Sequence, residues 1–142
     1  MGRNGLLALL LLVTAHVAFS QQPTNDKAGS LRSRIPQANL EKYRSVRDAS
    51  DWKNPYLIVE LDGVEVRADG ALAGGLTMPV ADVIGYLERL PKGAWPYGLA
   101  VAVQENGVRG GKGTDSRIKR NRLELLRRLR EARVRAELWP SG

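Results

Sequence analysis

Two short runs rich in β-branched and aliphatic residues, Tyr56-Leu-Ile-Val-Glu-Leu61 and Val64-Glu-Val-Arg-Ala68, are separated only by Asp62-Gly63. That combination is the strongest short-range signal for a β-hairpin, because Asp-Gly accepts the positive φ angles that a two-residue turn requires. The pattern also sets an expected register. Pairing Leu61 with Val64, Val59 with Val66 and Leu57 with Ala68 collects six apolar residues on one face. Ile58, Glu60, Glu65 and Arg67 then fall on the other. A hairpin with one apolar face must bury that face, so the rest of the chain has to supply a covering layer.

The expected cover follows. After a glycine-rich passage (Gly70, Gly74, Gly75), Pro79 stands where a first helical residue tolerates proline, and Val80, Val83, Ile84, Leu87 and Leu90 recur at helical spacing until Pro91 and Gly93. Gly98-Leu-Ala-Val-Ala-Val103 is a continuous apolar run that suits a central strand. From Ser116 to Ala132 a longer helix places Ile118, Leu125, Leu129 and Ala132 on one stripe, with Leu126 on its flank. Val134, Ala136 and Leu138 then alternate with Arg135, Glu137 and Trp139 as a last strand before Pro140. The fold class expected is α+β: a small two-layer sandwich of β-hairpin-α-β-α-β order, with a mixed sheet and both helices on one face.

Upstream of the hairpin the composition changes. Residues 1–20 read as a signal peptide, with Arg3 as the positive region, Leu6 to Val13 as the apolar core and Ala18-Phe19-Ser20 as the cleavage site. An uncleaved anchor is the competing reading, although the apolar stretch is shorter than the roughly 20 residues a spanning helix needs. Residues 21–50 carry Pro23 and Pro36, few large apolar side chains, and six basic against three acidic residues. They are expected to form a flexible basic tether, with a short helix from Gln37 to Arg47 as an option. The folded domain is expected over 51–142, enough for one small core. Arginine outnumbers lysine 16 to 6, the bias of a GC-rich bacterial genome, for which the destination would be the periplasm or the medium.

The chain has no cysteine, and its single histidine, His16, would leave with the signal peptide. A chain starting at Gln21 therefore has no Ser-His-Asp or Cys-His nucleophile system, no disulfide, and no cysteine- or histidine-ligated zinc or haem. Carboxylates, lysines, tyrosines and hydroxyls remain. No cofactor is expected.

With its N-terminal hydrophobic segment, basic tether and hairpin-helix-strand-helix-strand order ending in Ala132-Arg-Val-Arg-Ala-Glu-Leu138, the sequence resembles the periplasmic domain of ExbD/TolR-type biopolymer-transport proteins. The resemblance covers about Tyr56 to Leu138. It implies the same fold and an exported location. The family's membrane helix carries a functional aspartate, whereas Leu6 to Ser20 contains no acidic residue, so proton-driven coupling is not implied. No functional residue carries over.

Four constellations are candidates for function. From Arg109 to Arg135 there are eleven Lys/Arg and three acids, against four basic and eight acidic residues from Asp51 to Val108. Arg109, Lys112, Arg117, Arg120, Arg127 and Arg130 are the expected partner- or anion-binding set, their competing reading being a solvated face partly neutralised by Glu124 and Glu131. Nucleic acid is a poor fit, since no recognisable binding motif accompanies the charge. The loop Gly107-Val-Arg-Gly-Gly-Lys-Gly-Thr114 could hold an anion through Arg109 and Lys112, but its spacing fails the P-loop pattern and a flexible connection is the simpler reading. Glu60 and Glu65 should face each other across the hairpin with Asp62 nearby, as a carboxylate pair for acid-base work or for an oxygen-ligated cation. Finally, Trp95, Tyr97 and Trp139, with Trp52, are expected at loops and on an open sheet face, as exposed aromatics for a glycan or peptide or as covers for core edges. The expected role is an exported interaction domain, engaging an envelope protein, an anionic polymer or a lipid surface through its open sheet face and basic helix. The alternative is a small carboxylate-based hydrolase or anion-binding domain. Oligomeric state leaves no mark in the sequence.

Overall fold

The computed structural model describes residues 31–107 and 112–141. They form a two-layer α+β sandwich. Strands β1 (Tyr56–Glu60), β2 (Gly63–Arg67), β3 (Leu76–Met78), β4 (Ala100–Glu105) and β5 (Arg135–Trp139) make a single sheet in the order β3-β2-β1-β4-β5. β1–β2 and β2–β3 pair antiparallel, while β1–β4 and β4–β5 pair in parallel. Helices α1 (Val83–Arg89) and α2 (Lys112–Glu131) pack on one face, as the single apolar stripe of each demands.

The core between the layers joins Leu57, Val59, Val64 and Val66 of the hairpin to Val101 and Val103 of β4, and to Val83, Leu87, Ile118, Leu125 and Leu129 of the helices. Leu125 and Leu129 are fully enclosed; burial of such a side chain contributes about 1.5–3 kcal/mol. Ala100 and Ala102 of β4 face the opposite side, so the central strand is covered on both faces.

The hairpin register differs from the expected one. Its partners are Glu60↔Gly63, Val59↔Val64 and Leu57↔Val66, which makes Leu61-Asp62 the two-residue tip. The cause lies outside the hairpin. Gly63 has φ +151, and a Cβ placed there would stand 2.2 Å from the Met78 carbonyl oxygen. Gly63 is thus consumed in letting β3 approach, not in making the turn. Each paired position moves by two, so every side chain keeps its expected face.

Strand β3 was not expected; it is three residues long, lies beside the glycine-rich passage, and leaves Leu76 mostly exposed. Strand β4 begins and ends two residues later than expected, and α2 begins at Lys112 rather than Ser116. Leu138, expected on the buried face of the last strand, is 61% exposed because β5 is an edge strand.

The packed fold also begins before Asp51. Leu31 and Ile35 lie fully buried in the inter-layer core, and Pro36–Asn39 runs beside the start of β4, where the Pro36 carbonyl accepts from Leu99 N–H and the Tyr97 carbonyl accepts from Asn39 N–H. The chain then crosses to the other sheet face as a strap through two short 3-10 turns, Leu40–Lys42 and Ala49–Asp51, each opened by an Asx side-chain cap (Asn39, Asp48). The short helix expected as an option from Gln37 to Arg47 is realised only as the 3-10 turn Leu40–Lys42. The low apolar count of 31–50 concealed that three of its large residues, Leu31, Ile35 and Tyr43, are anchors, whereas Leu40 is 43% exposed.

Candidate functional site

Helix α2 is the most charged element of the fold, and its outward face is where the expected binding residues separate into two sets. Arg127 bonds to Glu124 at 2.7 Å and to Glu131 at 2.5 Å, and Arg128 bonds to Glu124 at 2.7 Å. These are the three- and four-residue spacings at which helical charges meet. The hydrogen bond from Arg127 holds the Glu124 carboxyl down to about 2, and Glu124 in turn raises the Arg127 guanidinium. Arg127 is therefore internally satisfied. Arg122 lies on the inner flank and pairs with Glu105 of β4 at 2.9 Å. Arg117 reaches Asp62 at the hairpin tip at 3.3 Å, in a pair so exposed that it contributes little.

Lys119, Arg120 and Arg130 are exposed, and among the described residues they have no acidic partner. With Leu123, which is 56% exposed and lies three to four residues from Lys119 and Arg120 and seven from Arg130, they share one outward side of the helix, with the acid-paired Arg127 between Leu123 and Arg130. Arg109 lies outside the described residues. Lys112 opens α2, and its side chain likewise lies outside them, so the glycine-loop anion site stays an expectation.

Asn121 escaped the sequence reading. Its amide donates to the Glu60 carbonyl at 2.9 Å and to the Leu61 carbonyl at 3.2 Å, tying α2 to the hairpin tip. Only its position opposite the polar end of the apolar stripe could have suggested this.

On the opposite sheet face, the aromatic expectation needs correction. Trp95 and Tyr97 are 4% and 8% exposed: Trp95 belongs to the inter-layer core, and Tyr97 lies beneath the strap. Tyr97 packs against Trp52 (5.1 Å between ring centroids) and Tyr43 (5.4 Å), and the half-buried Trp139 stands edge-on to Trp52 at 6.3 Å. The face expected to be open is closed over this half by the strap. Tyr43 donates to Glu137 at 2.8 Å, and burial, with Glu137 adding to it, pushes the Tyr43 phenol up to about 12. The fully buried Asn54, unremarked in the sequence, bridges the same region. It donates to the Gly98 and Ala100 carbonyls, both at 2.7 Å, and accepts from Tyr97 N–H at 2.9 Å.

The uncovered half of that face carries the two glutamates. In the observed register Glu65 stands opposite Ile58 and Glu60 opposite Gly63, so the pair is diagonal rather than directly facing. Glu65 accepts from Arg67 at 2.6 Å. Glu60 has its carboxyl raised, first by desolvation and then by repulsion from Glu65. A cleft of about 200 Å³ lies over them, bordered by Ile58, Arg67, Gln104 and Asn106. Among the described residues no three His, Cys, Asp or Glu side chains converge as metal ligands. A larger groove of about 590 Å³ runs between β3, α1 and the end of α2, with an apolar floor of Met78, Ile84 and Ala132 and a rim of Arg89 and Asp82.

No protein-family model, curated protein or solved structure matches the chain.

Proposed function

We propose that the chain is an exported, non-enzymatic interaction domain that engages an anionic partner or surface through the outward face of α2. The observation that carries this reading is the unneutralised stripe of Lys119, Arg120 and Arg130 around exposed Leu123, on a helix whose other arginines are tied to acids. Fixed positive charge without internal partners attracts anions and speeds encounter with them. Export is supported by Arg3, the Leu6–Val13 run and Ala18-Phe19-Ser20. The element order that resembles the ExbD/TolR-type periplasmic domain supports a binding role at the level of fold, and assigns no residue.

The test is titration of the chain from Gln21 with polyglutamate and with anionic vesicles across a salt series. Binding that weakens with salt and vanishes in Lys119→Glu/Arg120→Glu/Arg130→Glu is the expected result. Absence of salt-dependent binding to both probes would defeat the reading.

A second reading, carboxylate chemistry at Glu60 and Glu65, rests on the raised Glu60 carboxyl in its cleft. Hydrolysis of glycoside or ester reporters that is lost in Glu60→Gln would favour it over the first.

A further inference from the structure

We infer that the anionic partner of the α2 stripe is a lipid bilayer surface carrying acidic headgroups, an inference that rests on the proposed function and names its partner class. Three observations converge on this. First, Lys119 and Arg130 are eleven residues apart, so the stripe runs roughly 16 Å along the helix axis. It stands on the outward face of the helix layer, where Arg120 also borders a cleft of about 390 Å³ beside Arg117 and Asp62, while Lys119, Leu123 and Arg130 line neither that cleft nor the groove beside α1. A planar array of phosphates can meet Lys119, Leu123 and Arg130 together without a matching concavity.

Second, Leu123 sits in the middle of the cations at 56% exposure. Cations at headgroup level with an apolar side chain between them is the pattern of a helix that lies in the interface plane. Glu60 and Glu65 lie on the opposite face of the sheet, away from the stripe, where Arg67 and the strap residues Arg44 and Arg47 offset them.

Third, the chain enters the fold on that same side. Leu31 and Ile35 belong to the core shared with α1 and α2, and Arg34 donates to the Glu88 carbonyl at the end of α1. Only ten residues, 21–30, separate the Leu6–Ser20 apolar stretch from Leu31. Ten residues reach at most about 33–36 Å whatever their conformation. While the leader is still in the membrane, the domain is therefore held within that distance of the bilayer and is tethered on the helix-layer side.

The experiment is co-sedimentation of the chain from Gln21, which contains the whole described fold, with vesicles of phosphatidylcholine alone and of phosphatidylcholine mixed with phosphatidylglycerol. Polyglutamate serves as a parallel probe. Binding to the mixed vesicles only is expected. Each exposed cation contributes about fivefold, so Lys119→Ala/Arg120→Ala/Arg130→Ala lowers the partition constant on the order of a hundredfold. Leu123→Ala lowers it severalfold while leaving its salt dependence unchanged. A control that removes the exposed Lys42, Arg44 and Arg47 of the strap, on the other sheet face, changes net charge equally and leaves binding within about threefold, the residual being long-range attraction. Circular dichroism of each variant checks that the fold is intact.

Equal loss in the control variant, or equal binding to both vesicle types, overturns the inference. Binding to polyglutamate without binding to vesicles overturns it too, but leaves the anionic-partner reading standing. Binding to neither probe removes both.

Discussion

Helix α2 ends on a residue under backbone strain. Arg133 has φ +60, the only positive φ at a non-glycine among the described residues. Two bonds fix it there: Val134 N–H donates to the Leu129 carbonyl at 2.9 Å, and Arg133 N–H donates to the Arg130 carbonyl at 3.0 Å. This six-to-one and five-to-two pair is a Schellman terminus with Arg133 at the position glycine ordinarily fills, and Val134 packs in the same core as Leu129. A left-handed conformation costs a side-chain-bearing residue about 1–2 kcal/mol. Glycine's extra freedom in the unfolded chain returns about 0.5–1 kcal/mol of that. The Arg133 side chain is exposed and has no described partner, so its removal loses no contact. Arg133→Gly should therefore stabilise the protein by about 0.5–1 kcal/mol, a rise in Tm of roughly 2–5 °C for a domain of this size. Scanning calorimetry of wild type, Arg133→Gly and Arg133→Ala gives the answer. Alanine keeps the strain, so its Tm should stay within about a degree of wild type. If glycine gives no rise, the strain argument is wrong. If alanine rises as far as glycine, the relief came from repulsion among Arg130, Arg133 and Arg135, and the backbone was not the cause.

Four further outcomes are expected. Asn54→Ala removes the amide's bonds to the Ala100 carbonyl and the Tyr97 N–H, while the Gly98 carbonyl keeps the Ala100 N–H, and should cost about 2–3 kcal/mol in urea unfolding; a loss below 1 kcal/mol would mean that water replaces the amide. Gly98→Ala meets both φ +78 and a Gln37 carbonyl oxygen 2.2 Å from the new Cβ. It should lower Tm clearly and expose Trp52 fluorescence as the strap shifts, and an unchanged Tm would contradict the close approach. The Tyr43 phenol is raised in the folded state to about 12, so its neutral form is the one folding favours. That contribution is complete below the unfolded value near 10 and is lost as pH rises from 10 toward 12. Tyr43→Phe should flatten the stability profile in that window. At the acid end, Glu124 is held down to about 2 against 4.5 unfolded, so its stabilisation is present above 4.5 and fades as pH falls toward 2.

Where local pattern coincided with burial, the chain was readable in advance. Val83, Leu87, Leu125 and Leu129 recur at helical spacing, and each is buried in the core between the layers. The faces of the hairpin were legible because a period of two survives a register change by two, which is why Val59 and Val64 stayed inside although their pairing was misplaced. Strand β3 was hidden because three residues carry too little periodicity to register. The strap was hidden for a related reason: Tyr43 and Trp52 look like isolated aromatics until they are seen against Tyr97. The candidate site was half legible. Composition located the charge on α2 but could not divide Arg127, bound by two acids, from Arg120 and Arg130, since that division depends on which side chains meet.

The sequence by itself determined the two-layer α+β class, the placement of both helices on one face, and the concentration of positive charge on the second. These follow from periodicity and composition, which act within a few residues along the chain. Tertiary structure alone decided the hairpin register, set by the approach of β3 to Gly63, and the closing of the aromatic sheet face by residues 38–52. It also decided which cations stay free. Each of those outcomes depends on contacts between residues distant in sequence, and such contacts exist only once the layers have packed.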